Sequence, residues 1–121
     1  MQILFKYSGK VIGGKKRGRN LGFPTINVKI HKKIPEGVYA SEIKINKEVY
    51  FGATFIGGSK TYGESDYKSE SFIFDFNKDV YGKWVSIKLI NKIRDNIKFT
   101  SEGELISQIK KDILDIKKIL K

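Results

Sequence analysis

What most restricts the fold of this chain is a succession of short β-type runs separated only by turns. Ile3–Ile12 is rich in β-branched and aromatic residues and stops at Gly13-Gly14. Thr25–Ile30 alternates Thr25, Asn27 and Lys29 with Ile26, Val28 and Ile30, the period of a half-buried strand. Gly37–Ile45 and Glu48–Ile56 flank Asn46-Lys47, a dipeptide suited to a tight hairpin. Glu70–Phe76 and Lys83–Ile90 bring the number of runs to six, and the spacing predicts that these two pair through a turn at Asn77-Lys78-Asp79. No helical period interrupts the series. An antiparallel sheet or small barrel follows.

The end of the chain changes period. Ser101 stands three residues before Glu104, the spacing of a capping box. Leu105, Ile109, Ile113, Ile116 and Leu120 then recur at helical intervals. The spacing predicts one helix over 101–120, packed across the outside of the barrel or closing one end.

Composition narrows the chemistry. The 121 residues suffice for one domain over 1–121, and no linker or internal repeat divides them. At 40% hydrophobic the chain can bury a core, so disorder is a poor reading. It has no cysteine, which excludes a disulfide scaffold, a zinc ribbon and a thiol nucleophile. Its one histidine, His31, cannot build a histidine metal site by itself. No apolar run approaches the length of a membrane span, and MQILFKYSGK lacks the apolar core of a signal peptide. A cytoplasmic, monomeric domain without a membrane partner is expected.

The net charge is +11, from 24 Lys+Arg against 13 Asp+Glu. Such an excess suits nucleic acid, an anionic surface or a polyphosphate substrate. Lys110, Lys111, Lys117, Lys118 and Lys121 alternate with isoleucines and form the wet face of the helix. Lys15, Lys16, Arg17 and Arg19 instead sit among glycines, where side-chain cations and bare amides can meet phosphate together. Gly9–Lys16 nearly matches a P-loop, but Lys16 replaces the hydroxyl residue that would hold magnesium. Gly22-Phe23-Pro24 also breaks the helix that a P-loop must open.

Longer motifs carry a specific resemblance. Gly18, Arg19, Leu21, Gly22, Phe23, Pro24, Thr25 and Asn27 make a Gly-Arg-x-Leu-Gly-Phe-Pro-Thr-x-Asn core. It is followed in order by Gly37-Val38-Tyr39, by ESFIFDFNKDVYG from Glu70 to Gly82, by Ile93-Arg94 with Lys98-Phe99, and by a final helix from Ser101 to Asp112. This ordered set, from Gly9 to Asp112, resembles the riboflavin kinase family. One departure is Lys60-Thr61-Tyr62, where the family usually has Pro-Thr-Phe, so the Ser59–Lys68 loop differs. In bacteria the family's domain commonly follows an FMN adenylyltransferase domain, and these 121 residues carry none.

The resemblance implies a six-stranded antiparallel Greek-key barrel with a C-terminal helix, and transfer of the ATP γ-phosphate to the riboflavin 5′-hydroxyl to give FMN and ADP. It implies Mg²⁺ as cofactor, held with the nucleotide by Thr25 and Asn27, whose hard oxygens share one face of a strand. Glu70 is implied as general base. Gly14, Gly18 and Arg19 would form a flap over the ATP phosphates, with Asp75 and Tyr81 also on the nucleotide. Arg94 and Phe99 would contact the flavin, Phe99 against the ring and Arg94 at its polar edge or on a strand carbonyl. Two alternatives stand beside this: a non-catalytic flavin or nucleotide-binding module, and a nucleic-acid-binding barrel. Thr25, Asn27 and Glu70 together argue against the first, and the motif order against the second, so no nucleic-acid partner is expected.

Overall fold

A computed structural model describes residues 3–13, 24–57 and 68–120. Six strands close into a barrel: β1 (Phe5–Ile12), β2 (Thr25–Lys29), β3 (Gly37–Ile45), β4 (Glu48–Gly57), β5 (Lys68–Ile73) and β6 (Trp84–Arg94). Their spatial order is β1-β2-β5-β4-β3-β6, and every pairing is antiparallel. Three consecutive strands, β3, β4 and β5, lie side by side while β6 returns next to β3, which is the Greek-key arrangement.

The β3–β4 hairpin forms at Asn46-Lys47 as expected. Both residues have positive φ, 51° and 73°, which matches the twist that a two-residue turn must carry. The predicted pairing of the fifth and sixth runs does not form. β5 lies between β2 and β4, while β6 lies between β1 and β3. The strand ends at Ile73 because the chain turns at Asp75, whose φ is 54°. Phe76 then packs edge-on against Tyr50, with ring centroids 4.9 Å apart, and Val80 enters the core. Backbone bonds from Gly82 N to Val11 O and from Val11 N to Lys83 O bring the connection to β1. Residues 74–83 therefore link two strands that are not neighbours.

Alternation decides which face of each strand looks inward. Val11, Val28, Ile43, Ile45, Ile56, Ile73, Val85, Ile87 and Leu89 fill the interior with Tyr7 and Tyr39. Within it lies a chain of hydroxyls. Ser41 Oγ donates to the Gly52 carbonyl (3.1 Å), so Thr54 Oγ1 donates to Ser41 (2.7 Å) and Ser71 Oγ to Thr54 (2.8 Å). Thr54→Val keeps the shape but strands the Ser71 proton. The variant is expected to unfold in urea with about 1–3 kcal/mol less stability. A loss below about 0.5 kcal/mol would mean that the chain of hydroxyls contributes nothing. Tyr7 is buried beside Ser69, and desolvation pushes its phenol well above the usual range, an effect that Ser69 only partly offsets.

Two glycines permit close strand approaches. A Cβ on Gly52 would lie 2.3 Å from the Phe72 carbonyl oxygen across β4–β5. One on Gly37, whose φ is 152°, would meet the Arg94 carbonyl oxygen at 2.8 Å, next to the bulge between β3 and β6. The helix α1 (Glu102–Ile119) crosses the barrel exterior against β4 and β6. Ser101 caps it by accepting from Glu104 N at 3.2 Å, as expected. The return bond of the capping box goes instead to Thr100, whose N and Oγ1 lie 3.2 and 2.9 Å from Glu104 Oε2. Ile116 is fully buried, and Lys117 Nζ sits 5.5 Å from the centroid of the Phe74 ring.

Candidate active site

One row of residues crosses the outside of the barrel. Asn27 on β2 stands opposite Glu70 on β5, Glu70 opposite Phe55 on β4, Phe55 opposite Val38 on β3, and Val38 opposite Arg94 on β6. The inward partners Val28, Ser69 and Ile56 are buried in the core, so this row faces outward. Thr25, two residues before Asn27, shares its face. Its hydroxyl donates to Glu70 Oε1 at 3.0 Å. Asn27 is only 5% exposed, yet among the described residues its Oδ1 has no hydrogen-bond partner.

A buried acceptor left unpaired costs about 1–3 kcal/mol, and a bound ion or water is one way to satisfy it. Thr25 adds a second neutral oxygen whose lone pairs remain available after its proton goes to Glu70. Among the described residues, no cluster of three or more His, Asp or Glu stands ready to hold an ion. Two neutral hard oxygens fit a magnesium ion that takes its remaining ligands from phosphate and water.

The other predicted residues take several positions. Tyr81 is 70% exposed, which excludes a core role, and its backbone N–H donates to Asp79 Oδ1 at 3.0 Å. A Cβ built on Gly13 would lie 3.8 Å from its ring, so Tyr81 borders the point where the basic loop departs. Gly14, Gly18 and Arg19 lie outside the described residues, as does most of the Ser59–Lys68 loop. Asp75 is exposed in the turn after β5, not on the strand where the sequence places it.

Arg94 ends β6 and is clamped from the helix. Its Nε and Nη2 donate to Asp112 Oδ1 and Oδ2 at 2.9 and 2.8 Å, and Nη1 reaches the Asp95 carbonyl at 3.1 Å. Three of its N–H groups, of the five a guanidinium carries, are thus engaged within the protein. Phe99 is half-buried in an open cleft of about 700 Å³ between the loop after β6 and the first turns of α1. Ile97, Glu104, Gln108 and Lys111 share that lining.

Sequence reasoning gave no role to Phe55, Gln108 or Asp112, although the last two belong to the final helix motif. Phe55 is 41% exposed beside Glu70, and Asn96 Nδ2 ties the cleft loop to the next carbonyl of β4, Ile56 O, at 3.4 Å. Its signal was an aromatic at an outward-facing position of β4. The signal for Asp112 was a carboxylate on the apolar phase of the helix, between Ile109 and Ile116.

Comparison with known proteins identifies the family of the chain. The profile of the family described as Flavokinase: Riboflavin kinase matches residues 1–120. The chain is 43% identical over 110 residues to the bifunctional riboflavin kinase/FMN adenylyltransferase of Bacillus subtilis, covering 86% of this chain and 35% of that protein. A crystal structure titled macrolide-efflux protein from Streptococcus pneumoniae superposes with a TM-score of 0.85 at 33% identity, over 93% of this chain and 38% of that one. Riboflavin kinase from Trypanosoma brucei shares the fold, with a TM-score of 0.66 at 24% identity, over 95% of this chain and 76% of that one. The chain spans about a third of the length of the bifunctional relatives, 36% and 35% in two of them. The profile match over nearly the whole chain, laid on a closed barrel that sets Thr25, Asn27 and Glu70 side by side, places it in the riboflavin kinase family.

Proposed function

We propose that this chain transfers the γ-phosphate of ATP to the 5′-hydroxyl of riboflavin, giving FMN and ADP. The observation that carries the reading is the Thr25–Glu70 hydrogen bond beside the buried Asn27 Oδ1, which has no partner among the described residues. Phosphoryl transfer needs donor and acceptor in line, charge neutralised and one proton removed. Glu70 accepts that proton from the riboflavin hydroxyl as its oxygen bonds to the γ-phosphorus and ADP departs. The proton later passes to water. Thr25 holds Glu70 Oε1 and so leaves the other carboxylate oxygen for the substrate.

Thr25 Oγ1 and Asn27 Oδ1 would hold Mg²⁺, which when bound neutralises phosphate charge. Gly14, Gly18 and Arg19 would cover the phosphates, with Tyr81 and Asp75 toward the nucleotide. The flavin ring would extend from Glu70 past the exposed Phe55 into the cleft at Phe99. Arg94 serves that cleft by fastening the helix. The reading calls for one copy of the chain and for no nucleic-acid or membrane partner.

Incubation with riboflavin, ATP and Mg²⁺ should yield FMN and ADP in equal amounts, separated by chromatography. Asn27→Ala should weaken Mg·ATP binding roughly tenfold, the scale of one charge-assisted contact, and leave magnesium-free ATP binding unchanged. FMN production without ATP consumption, or equal Mg·ATP affinity in the variant by calorimetry, would contradict the reading.

A further inference from the structure

We infer that Gln108 is a specificity-determining residue of the cleft, presenting its amide oxygen to a ring N–H of the bound substrate, and that Arg94 and Asp112 are positioning residues that fix it. The inference rests on the flavin reading above and adds which edge of the ring the protein reads.

Asp112 is 4% exposed on the apolar side of the helix, where a carboxylate persists only if it is paired. Both its oxygens are held by Arg94, and Oδ1 also accepts from Gln108 Nε2 at 2.9 Å. A carboxylate clamped by a guanidinium offers acceptors only. The Gln108 NH₂ must therefore face Asp112, and its oxygen is left for the other side. Gln108 lines the cleft with Phe99, and among the described residues nothing donates to its Oε1. A buried ion pair thus converts an ambiguous amide into a fixed acceptor on a binding wall.

That acceptor selects a donor. The oxidised isoalloxazine ring carries one N–H, at N3, set between two carbonyl groups. Lys111, one turn further along the cleft, has only donors, which suit the flanking carbonyl oxygens. Gln108 as acceptor and Lys111 as donor thus supply the two kinds of partner that the imide edge of the ring takes.

The test measures binding of riboflavin and 3-methylriboflavin through quenching of flavin fluorescence, with Mg·ATP affinity measured alongside by calorimetry. Wild type should bind the methylated compound roughly 3- to 10-fold more weakly, the scale of one lost hydrogen bond. Gln108→Met keeps the length of the side chain, and so any clash with the methyl group, but removes the acceptor. It should bind both flavins alike. Asp112→Asn, which releases the amide orientation, should lose the same preference while Gln108 is intact. A merely structural role would change stability and leave the preference untouched. Undiminished preference in Gln108→Met, or no preference in wild type, overturns the inference while leaving the kinase reading in place. Wild type that binds Mg·ATP but no flavin overturns the kinase reading and this inference with it.

Discussion

Glu70→Gln is expected to slow phosphoryl transfer by roughly 10²–10⁴-fold, the usual worth of a positioned general base. The substitution preserves shape, and the Thr25 hydroxyl can still donate to the amide oxygen that replaces Glu70 Oε1. What disappears is the capacity to take a proton. Affinities for riboflavin and Mg·ATP should change little, because the lost interaction belongs to the transition state. Single-turnover mixing with chemical quench is the appropriate measurement, since product release can set the steady-state rate and conceal the loss. A single-turnover rate within about threefold of wild type would remove Glu70 from the chemistry. Asp75 is poorly placed to replace it, being exposed in the turn that follows β5.

Asp112→Ala is expected to cost about 3–5 kcal/mol of stability, the penalty for leaving one member of a buried ion pair alone. Arg94 and Asp112 side chains are 18% and 5% exposed, so solvent can do little to rescue the stranded guanidinium. The same deletion also removes the acceptor of the Gln108 amide. Urea unfolding should show a lower midpoint with little change in slope. Replacing both partners together, as Arg94→Met with Asp112→Leu, should recover most of the loss, because no charge is then left unpaired. A single-variant loss below about 1 kcal/mol would show that the helix is held by its apolar face alone. The double variant should nevertheless lose preference between the two flavins, which separates holding the helix from orienting the amide.

Much of the local structure was legible because its causes are local. Period-two alternation marked Thr25–Ile30, β-branched and aromatic residues marked Ile3–Ile12, and Asn46-Lys47 marked the hairpin, Asn46 being a residue that accepts positive φ. Ser101 marked the helix start because its hydroxyl can reach the Glu104 N–H. Pairing was harder. Sequence proximity joined the fifth and sixth runs, but a barrel closed by β1 against both β2 and β6 leaves β5 no place beside β6. The left-handed turn at Asp75 and the burial of Val80 then carry the chain to another part of the wall.

The sequence by itself determined the repertoire: six strands, one capped helix, a basic glycine loop, and a motif core containing Thr25 and Asn27 with Glu70 further along. It also determined that Thr25 and Asn27 share a face, since residues two apart on a strand must do so. Only the tertiary structure decided what those residues meet. Strand register set Glu70 opposite Asn27 and put Phe55 beside it, because hydrogen-bonded ladders align residues far apart in the chain. Packing of the helix across β4 and β6 gave Arg94 a carboxylate partner that lies 18 residues away in the chain. It likewise turned Asp112 from an anomaly on an apolar face into the anchor of Gln108. A charge in such a place is tolerated only when its partner arrives from another element, and that arrival is a property of the folded chain.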